Sequence, residues 1–215
     1  MRFVAISDLH GRLPDVPACD LLLLAGDICP DYRGTAIPAF RPLVAERQSV
    51  WLREVFSPWL SRQPCQHTIM CWGNHDYVGE LPASSQPTLA ADVLTDQAVT
   101  WRGLRVYSTP WTYFVPGVWA FDVSPRELAA RNADIPNDID VLITHGPPYG
   151  VLDTNSAGEH CGSRSLLEAT VRVRPKLHVF GHIHEARGQR GASYNVAILD
   201  GAYNRYPFPL TTIEI

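Results

Sequence analysis

Short apolar runs recur along the chain, and each one stops at a polar residue able to do chemistry. Phe3 to Ser7 leads into Asp8-Leu9-His10-Gly11, and Leu21-Leu22-Leu23-Leu24-Ala25-Gly26 leads into Asp27. Thr68 to Trp72 leads into Gly73-Asn74-His75-Asp76, Ile139 to Thr144 into His145-Gly146-Pro147-Pro148, and Leu177 to Phe180 into Gly181-His182-Ile183-His184. Runs of this length closed by glycine read as strands, and a continuously apolar one such as Leu21 to Ala25 is covered on both faces. Leu104 to Ser108, Tyr194 to Leu199 and Leu210 to Ile215 are also strand-like, the last two suited to a sheet edge or hairpin.

Helical signals lie between the strands. Residues 37 to 63 hold a helical stretch with apolar positions at Val50, Val55 and Trp59, which Pro58 would kink or divide. Ser124-Pro125-Arg126-Glu127 is a capping box with proline at the first helical position, starting a helix to about Arg131. Ser165-Leu166-Leu167-Glu168 offers another, for a helix that ends before Pro175. The stretch from Tyr77 to Trp101 has little pattern, and an aromatic-rich loop spans Trp111 to Phe121. Alternating strands and helices predict an α/β fold with a mostly parallel sheet, where ligand groups gather beyond the carboxyl ends of the strands.

With 215 residues, 46% of them hydrophobic and 19% charged, one globular domain covering 1–215 is expected. The net charge of -4 gives no global field toward nucleic acid or anionic lipid, so any phosphate binding must be local. No segment approaches the ~20 apolar residues that span a bilayer, and the N-terminal run is too short for a secretory signal. Five cysteines (Cys19, Cys29, Cys65, Cys71 and Cys161) make an odd count without Cys-x-x-Cys spacing, which points to a reducing cytoplasm.

The polar residues at the run ends form one inventory: Asp8, His10, Asp27, Asn74, His145, His182 and His184, all nitrogen or oxygen donors. In an extended segment, residues i and i+2 share a face, so each of the pairs Asp8/His10 and His182/His184 can point into one cavity. Seven donors exceed one tetrahedral site but suit two adjacent divalent ions bridged by a carboxylate. Asp27, the donor standing alone at its strand end, is the expected bridge. Two such ions would turn a shared water into a hydroxide nucleophile near neutral pH. His75, with an ordinary pKa near ~6.5, is the expected proton donor to the leaving oxygen, with Asp76 as a candidate to orient it.

Asp8-x-His10, Gly26-Asp27, Gly73-Asn74-His75-Asp76, His145-Gly146 and Gly181-His182-x-His184, in this order, resemble the calcineurin-like metallophosphoesterase superfamily. Thr144 to Pro148 and Arg174 to Glu185 further resemble its metallophosphoesterase-domain-containing branch, which is related to cyclic nucleotide phosphodiesterases. The resemblance implies a four-layer α/β/β/α sandwich with two mixed sheets. It also implies one ion on Asp8, His10, Asp27 and His184 and a second on Asp27, Asn74, His145 and His182, while His75 faces the substrate. Some members of the branch carry glycine in place of His182, so the imidazole here favours a filled second site. Phosphatase relatives read Gly-Asp-x-x-Asp-Arg, whereas this chain is one residue longer from Gly26 to Asp31 and has Tyr32 before Arg33, leaving the roles of Asp31 and Arg33 open.

The expected function is therefore dinuclear hydrolysis of phosphodiesters, cyclic or linear nucleotide esters among them. Manganese is the first metal to test, with iron, zinc, nickel, cobalt and magnesium as alternatives. The partner expected is a small phosphate-ester substrate, with no membrane and no extended nucleic-acid surface. Rival readings are a phosphomonoesterase of the same fold and a binding scaffold with little turnover. A metallo-β-lactamase-like hydrolase would need a His-x-His-x-Asp-His cluster, which does not occur. Asn74, His75 and Arg12 are candidate substrate contacts, Arg12 being equally suited to a surface salt bridge. His67 and His178 read as structural, and His160 as a solvated or rim residue. Trp111, Tyr113, Phe114 and Trp119 read as core or dimer surface before a base-stacking platform.

Overall fold

A strand that is apolar on both faces needs cover on both, and the computed structural model, which describes residues 1–32, 37–113, 118–207 and 209–215, supplies it with two stacked sheets. The first sheet has the order β11 (Thr211–Glu214), β1 (Arg2–Ile6), β2 (Cys19–Ala25), β3 (Cys65–Cys71), β4 (Asp92–Val93). The second runs β5 (Gln97–Trp101), β6 (Leu104–Thr109), β7 (Val141–Thr144), β8 (Leu177–Phe180), β10 (Ser193–Asn195), β9 (Gly188–Arg190). Neighbours are parallel except at the edges, where β11, β5 and β9 pair antiparallel. Both sheets are thus mixed.

Alternation along the strands builds the layers. Phe3, Ala5, Leu21, Leu23, Ile69 and Cys71 face the second sheet and pack with its Val106, Val141, Ile143, Leu177 and Val179. Their neighbours Val4, Ile6, Leu22, Leu24 and Met70 point the other way, against Val44, Leu52, Phe56 and Leu60 of the helical segment. On the outer face of the second sheet, Tyr107 and Leu142 meet Leu166, Ala169 and Val173 of α4 (Arg164–Val173), which lies beside α3 (Pro125–Ala133). The α/β/β/α sandwich follows.

Several local expectations need correction. The helical segment comprises α1 (Arg41–Trp51), a π-helical turn (Leu52–Phe56) and α2 (Ser57–Leu60). In the π turn the Ser57 N–H reaches back to the Leu52 carbonyl, widening the helix one residue before Pro58, which has no N–H to give. Val50 lies on the outer face of α1, and the extra residue in the π turn shifts the helical phase, so that Val55 is exposed while Leu52, Phe56 and Trp59 are buried. The capping box at Ser124 and Glu127 forms as read. For α4, however, the cap is Ser163, whose hydroxyl accepts from Leu166 N–H, and the helix ends at Arg174 in the left-handed conformation before Pro175. The unpatterned stretch hides β5, turned into β6 by Arg102 (φ 48°) and Gly103 (φ 81°). The run from Tyr194 is a regular strand only to Asn195, beyond which single bridges join Ala197 to Ser7 and Leu199 to Arg205. Among the described residues no helix is long and apolar enough to cross a membrane.

His178 on β8 is structural, as read. Its Nε2 bonds the Thr144 hydroxyl (2.9 Å), which donates onward to the Gly146 carbonyl (2.7 Å), and burial depresses its pKa to about 3. A base that is neutral when folded and charged when unfolded stabilises the fold above its unfolded pKa of ~6.5 and loses that contribution as pH falls toward 3. In metal-free protein, His178→Leu should therefore remove about 2 kcal/mol of the stability lost between pH 6.5 and 5, at 1.36 kcal/mol per unit. Urea unfolding at the two pH values reads this difference, and an unchanged wild-type slope in the variant would refute it.

Candidate metal centre

The carboxyl ends of β1, β2, β3, β7 and β8 face the same end of the sandwich and carry all seven predicted donors there. The turns that do this are strained. Asp8, His10, Asp27 and His182 have φ of 58°, 43°, 53° and 68°, a left-handed region that residues bearing a Cβ seldom occupy. Glycines before the donors let the groups close up: a Cβ on Gly181 would overlap the Asp8 carboxylate and the Ser7 hydroxyl, and one on Gly73 would overlap Asp27. The Gly-Asp, Gly-Asn and Gly-His pairs in the sequence therefore have a packing cause.

Asp27 sits at the centre, 2% exposed. Its Oδ1 accepts the backbone N–H of His75 (2.8 Å), which leaves Oδ2 between His10 Nε2 (3.6 Å) and His145 Nε2 (3.3 Å). On one side Asp8 Oδ1 lies 3.2 Å from His184 Nε2, and the Asp8 carboxylate also accepts the His182 backbone N–H. On the other, Asn74 Oδ1 lies 2.8 Å from His145 Nε2 and 2.9 Å from His182 Nδ1. The outward nitrogens are tied down: the Ala25 carbonyl accepts from His145 Nδ1 (2.9 Å) and the Asp200 carbonyl from His184 Nδ1 (3.0 Å). Such partners fix the tautomer and aim Nε2 inward.

Electrostatics marks the cluster as suited to a positive charge. Burial opposes ionisation of Asp8 and Asp27, yet the surrounding imidazoles hold both below the usual carboxylate range, Asp27 far below it. Burial also works against the cations of His145 and His184, but Asp27 and Asp8 lift each to about 9. His182 is drawn down to about 3, by burial first and by His145 next. His10 Nε2 is buried without any hydrogen-bond partner among the described residues, facing the carboxylates. An orphaned imidazole nitrogen amid two buried carboxylates and further oxygen and nitrogen donors fits a divalent cation. Three groups could each hold one: Asp8, His10 and His184; His10, Asp27 and His75; Asp8, Asp27 and His145.

Part of the site carries no pattern in the sequence. Asp31, whose role was open, bridges two histidines, with Oδ1 2.6 Å from His75 Nδ1 and Oδ2 3.1 Å from His10 Nδ1. Burial raises its pKa, but these two bonds hold it down at about 2. Asp76 does not orient His75. It accepts the N–H groups of Ile28, Cys29 and Gly73, lacing the second and third loops together, and burial with repulsion from Asp27 pushes it up to about 6. Trp119 stacks on the His75 ring (4.3 Å), and Tyr203 stands 4.6 Å from the His10 ring. Arg12 is exposed and has no side-chain partner among the described residues, so the surface salt bridge is not formed there. His67 pairs with Asp92 and His160 with Asp153. Arg33 and Phe114 lie outside the described residues.

A sequence-family model described as calcineurin-like phosphoesterase matches residues 1–186, a span that takes in every donor. The chain belongs to that family. It is 32% identical over 219 residues to human metallophosphoesterase domain-containing protein 1, covering 87% of this chain and 61% of the relative. It is 31% identical to UPF0046 protein C25E10.12 of Caenorhabditis elegans, covering 87% of this chain and 70% of that one. The chain thus spans about three fifths of the length of the human relative. The crystal structure of TT1561 of Thermus thermophilus superposes with a TM-score of 0.55 at 16% identity, over 93% of this chain and 89% of that one. Another crystal structure does so at 0.61 and 16% identity, over 91% and 90%. These likenesses support the fold, and the family uses divalent metals.

Proposed function

We propose that residues 1–215 work as one metal-dependent phosphodiesterase unit of the reducing cytoplasm. Asp8, His10, Asp27 and His184 would hold one cation and Asp27, Asn74, His145 and His182 the other. The observation that carries this is Asp27 Oδ2, buried and free of backbone bonds, between an imidazole of each half. Two cations bound there, manganese being the first choice, would supply an activated water and neutralise the phosphoryl oxygens. The chain's own contribution begins with position: the tied-back histidines and strained turns fix the donors before substrate arrives. Asn74 and Arg12 are the expected substrate contacts.

His75 is the proton donor. Burial disfavours its cation, but attraction to Asp27 and the bond to Asp31 raise its pKa above the ordinary value, which favours the protonated ring. Asp31 holds Nδ1 and leaves Nε2 for the leaving oxygen. Trp119 covers one ring face and restricts water there.

The preference for diesters rests on charge. A monoester carries about -1.5 to -2 at neutral pH and calls for cations beyond the metals, whereas a diester carries only one negative charge. Residues 77–81 contain no Arg or Lys. Arg41, which reaches the Trp119 carbonyl (2.7 Å), is also paired with Glu80 (4.0 Å) and covers the Tyr77 ring. With Mn²⁺ present, kcat/KM for bis-p-nitrophenyl phosphate should exceed that for p-nitrophenyl phosphate at matched pH. A faster monoester would assign the protein to phosphomonoester hydrolysis, and no turnover of either by metal-loaded protein would favour a scaffold.

A further inference from the structure

A cavity of about 490 Å³ opens beside His182, and none of the groups described so far occupies it. Its walls come from the start of the loop after β6, from α3, and from the loop between β7 and α4. That volume lies within the range of small-molecule sites, about 300–1,000 Å³.

The wall from residues 147 to 163 is pinned in place. Asp153, 1% exposed, accepts the N–H groups of Gly150 (2.9 Å) and Gly162 (3.0 Å) and the ring nitrogen of His160 (2.8 Å). The loop's two arms pair through Tyr149 N to Ser163 O and Ser163 N to Pro147 O, both 3.0 Å. On this frame Tyr149 carries the Arg164 guanidinium over its ring at 3.8 Å and the tilted His160 ring at 5.1 Å. Arg164 has no hydrogen bond or ion pair among the described residues. Trp111 stands at another wall, and so does Thr112, which is 4% exposed and whose hydroxyl lacks a partner among the described residues. Flat aromatic and guanidinium groups held rigidly around a void suit a planar ring, which stacks on either kind of surface.

Position decides which part of a substrate enters. The cavity is lined by His182 but by none of His10, His75, Asp31 or Trp119. His75, the proton donor to the leaving oxygen, is grouped with His10 (ring centroids 4.7 Å apart) and Asp31. The leaving group therefore departs on the far side from the cavity. We propose that this cavity is a subsite for the substituent that stays on phosphorus, and that it selects a planar aromatic or heteroaromatic one. The inference rests on the phosphodiesterase reading and gives the second ester arm a place to bind.

The test separates the two. Calorimetry on Mn²⁺-loaded protein compares diphenyl phosphate with dimethyl phosphate, neither of which needs to react. Diphenyl phosphate should bind at least ~10-fold more tightly. That advantage should shrink to under about threefold in Tyr149→Ala and in Ala129→Phe, which fills the void from an exposed position on α3. Kinetics then compares bis-p-nitrophenyl phosphate with methyl p-nitrophenyl phosphate, which share a leaving group. The variants should lower the ratio of the two kcat/KM values, and intrinsic reactivity cancels against the wild type. Equal affinities for the two inert ligands, or a ratio that neither variant changes, would overturn the subsite. Selective binding without hydrolysis would retain the subsite and reject the phosphodiesterase reading.

Discussion

Asp27→Asn should reduce the metal content of Mn²⁺-saturated protein from two ions to one or fewer and lower kcat/KM for bis-p-nitrophenyl phosphate by at least about 10³-fold. The substitution keeps the shape, and its amide oxygen can still accept the His75 N–H that Oδ1 accepts now. What it removes is the negative charge that faces His10 and His145. In the metal-free protein His145 owes its raised pKa chiefly to Asp27, acting against burial, so the variant should lower it there. Transition-state stabilisation by a bound metal is worth several kcal/mol, and each 1.36 kcal/mol is tenfold in rate. Elemental analysis after gel filtration and initial rates read the two effects separately. Two ions retained with near-normal rates would place the bridge elsewhere.

The strands and the donors were legible because both depend on local pattern. A parallel strand covered on both faces must be apolar throughout, and its end must present whatever the site needs, so Leu21 to Asp27 announces itself without any knowledge of its neighbours. Asp31 could not be read in this way. Its two partners are 21 and 44 residues distant, and only the path of the loop after Asp27 decides that one carboxylate reaches both rings. Asp76, a candidate to orient His75, points elsewhere as an adjacent residue usually does: the tight turn from Gly73 sends its carboxylate back to three backbone N–H groups. Trp119 and Tyr203 lie on irregular segments without periodicity, where sequence offers no face to assign. The exposed Val55 shows the same limit in a helix, since a single π turn ahead of Pro58 shifts the phase on which apolar spacing depends. The left-handed backbone at Asp8, His10, Asp27 and His182 left no signal either, because these residue types do not announce a positive φ as glycine does.

His75→Ala should keep both metal ions and lose a factor of about 10²–10⁴ in kcat for diesters with alkoxide leaving groups, the usual contribution of a general acid. p-Nitrophenolate departs without a proton, so its loss should be smaller. Asp31→Asn should give a weaker version of the same pattern, about 10–100-fold as for partners that orient a functional imidazole. The two variants differ in their pH dependence. His75 acts while protonated, and its pKa is held up by Asp27 and by the bond to Asp31 against the effect of burial. Without the Asp31 charge the folded pKa falls, so the protonated fraction is lost at lower pH and the basic limb of the rate profile moves down for alkoxide leaving groups. Because Asp31 also bonds His10 Nδ1 at 3.1 Å, metal content must be measured beside the rates. A shifted basic limb with two ions retained assigns Asp31 to the proton donor. Loss of an ion with an unshifted limb assigns it to His10 and the metal site instead. Equal losses for alkoxide and p-nitrophenolate esters in His75→Ala would remove His75 from proton transfer altogether.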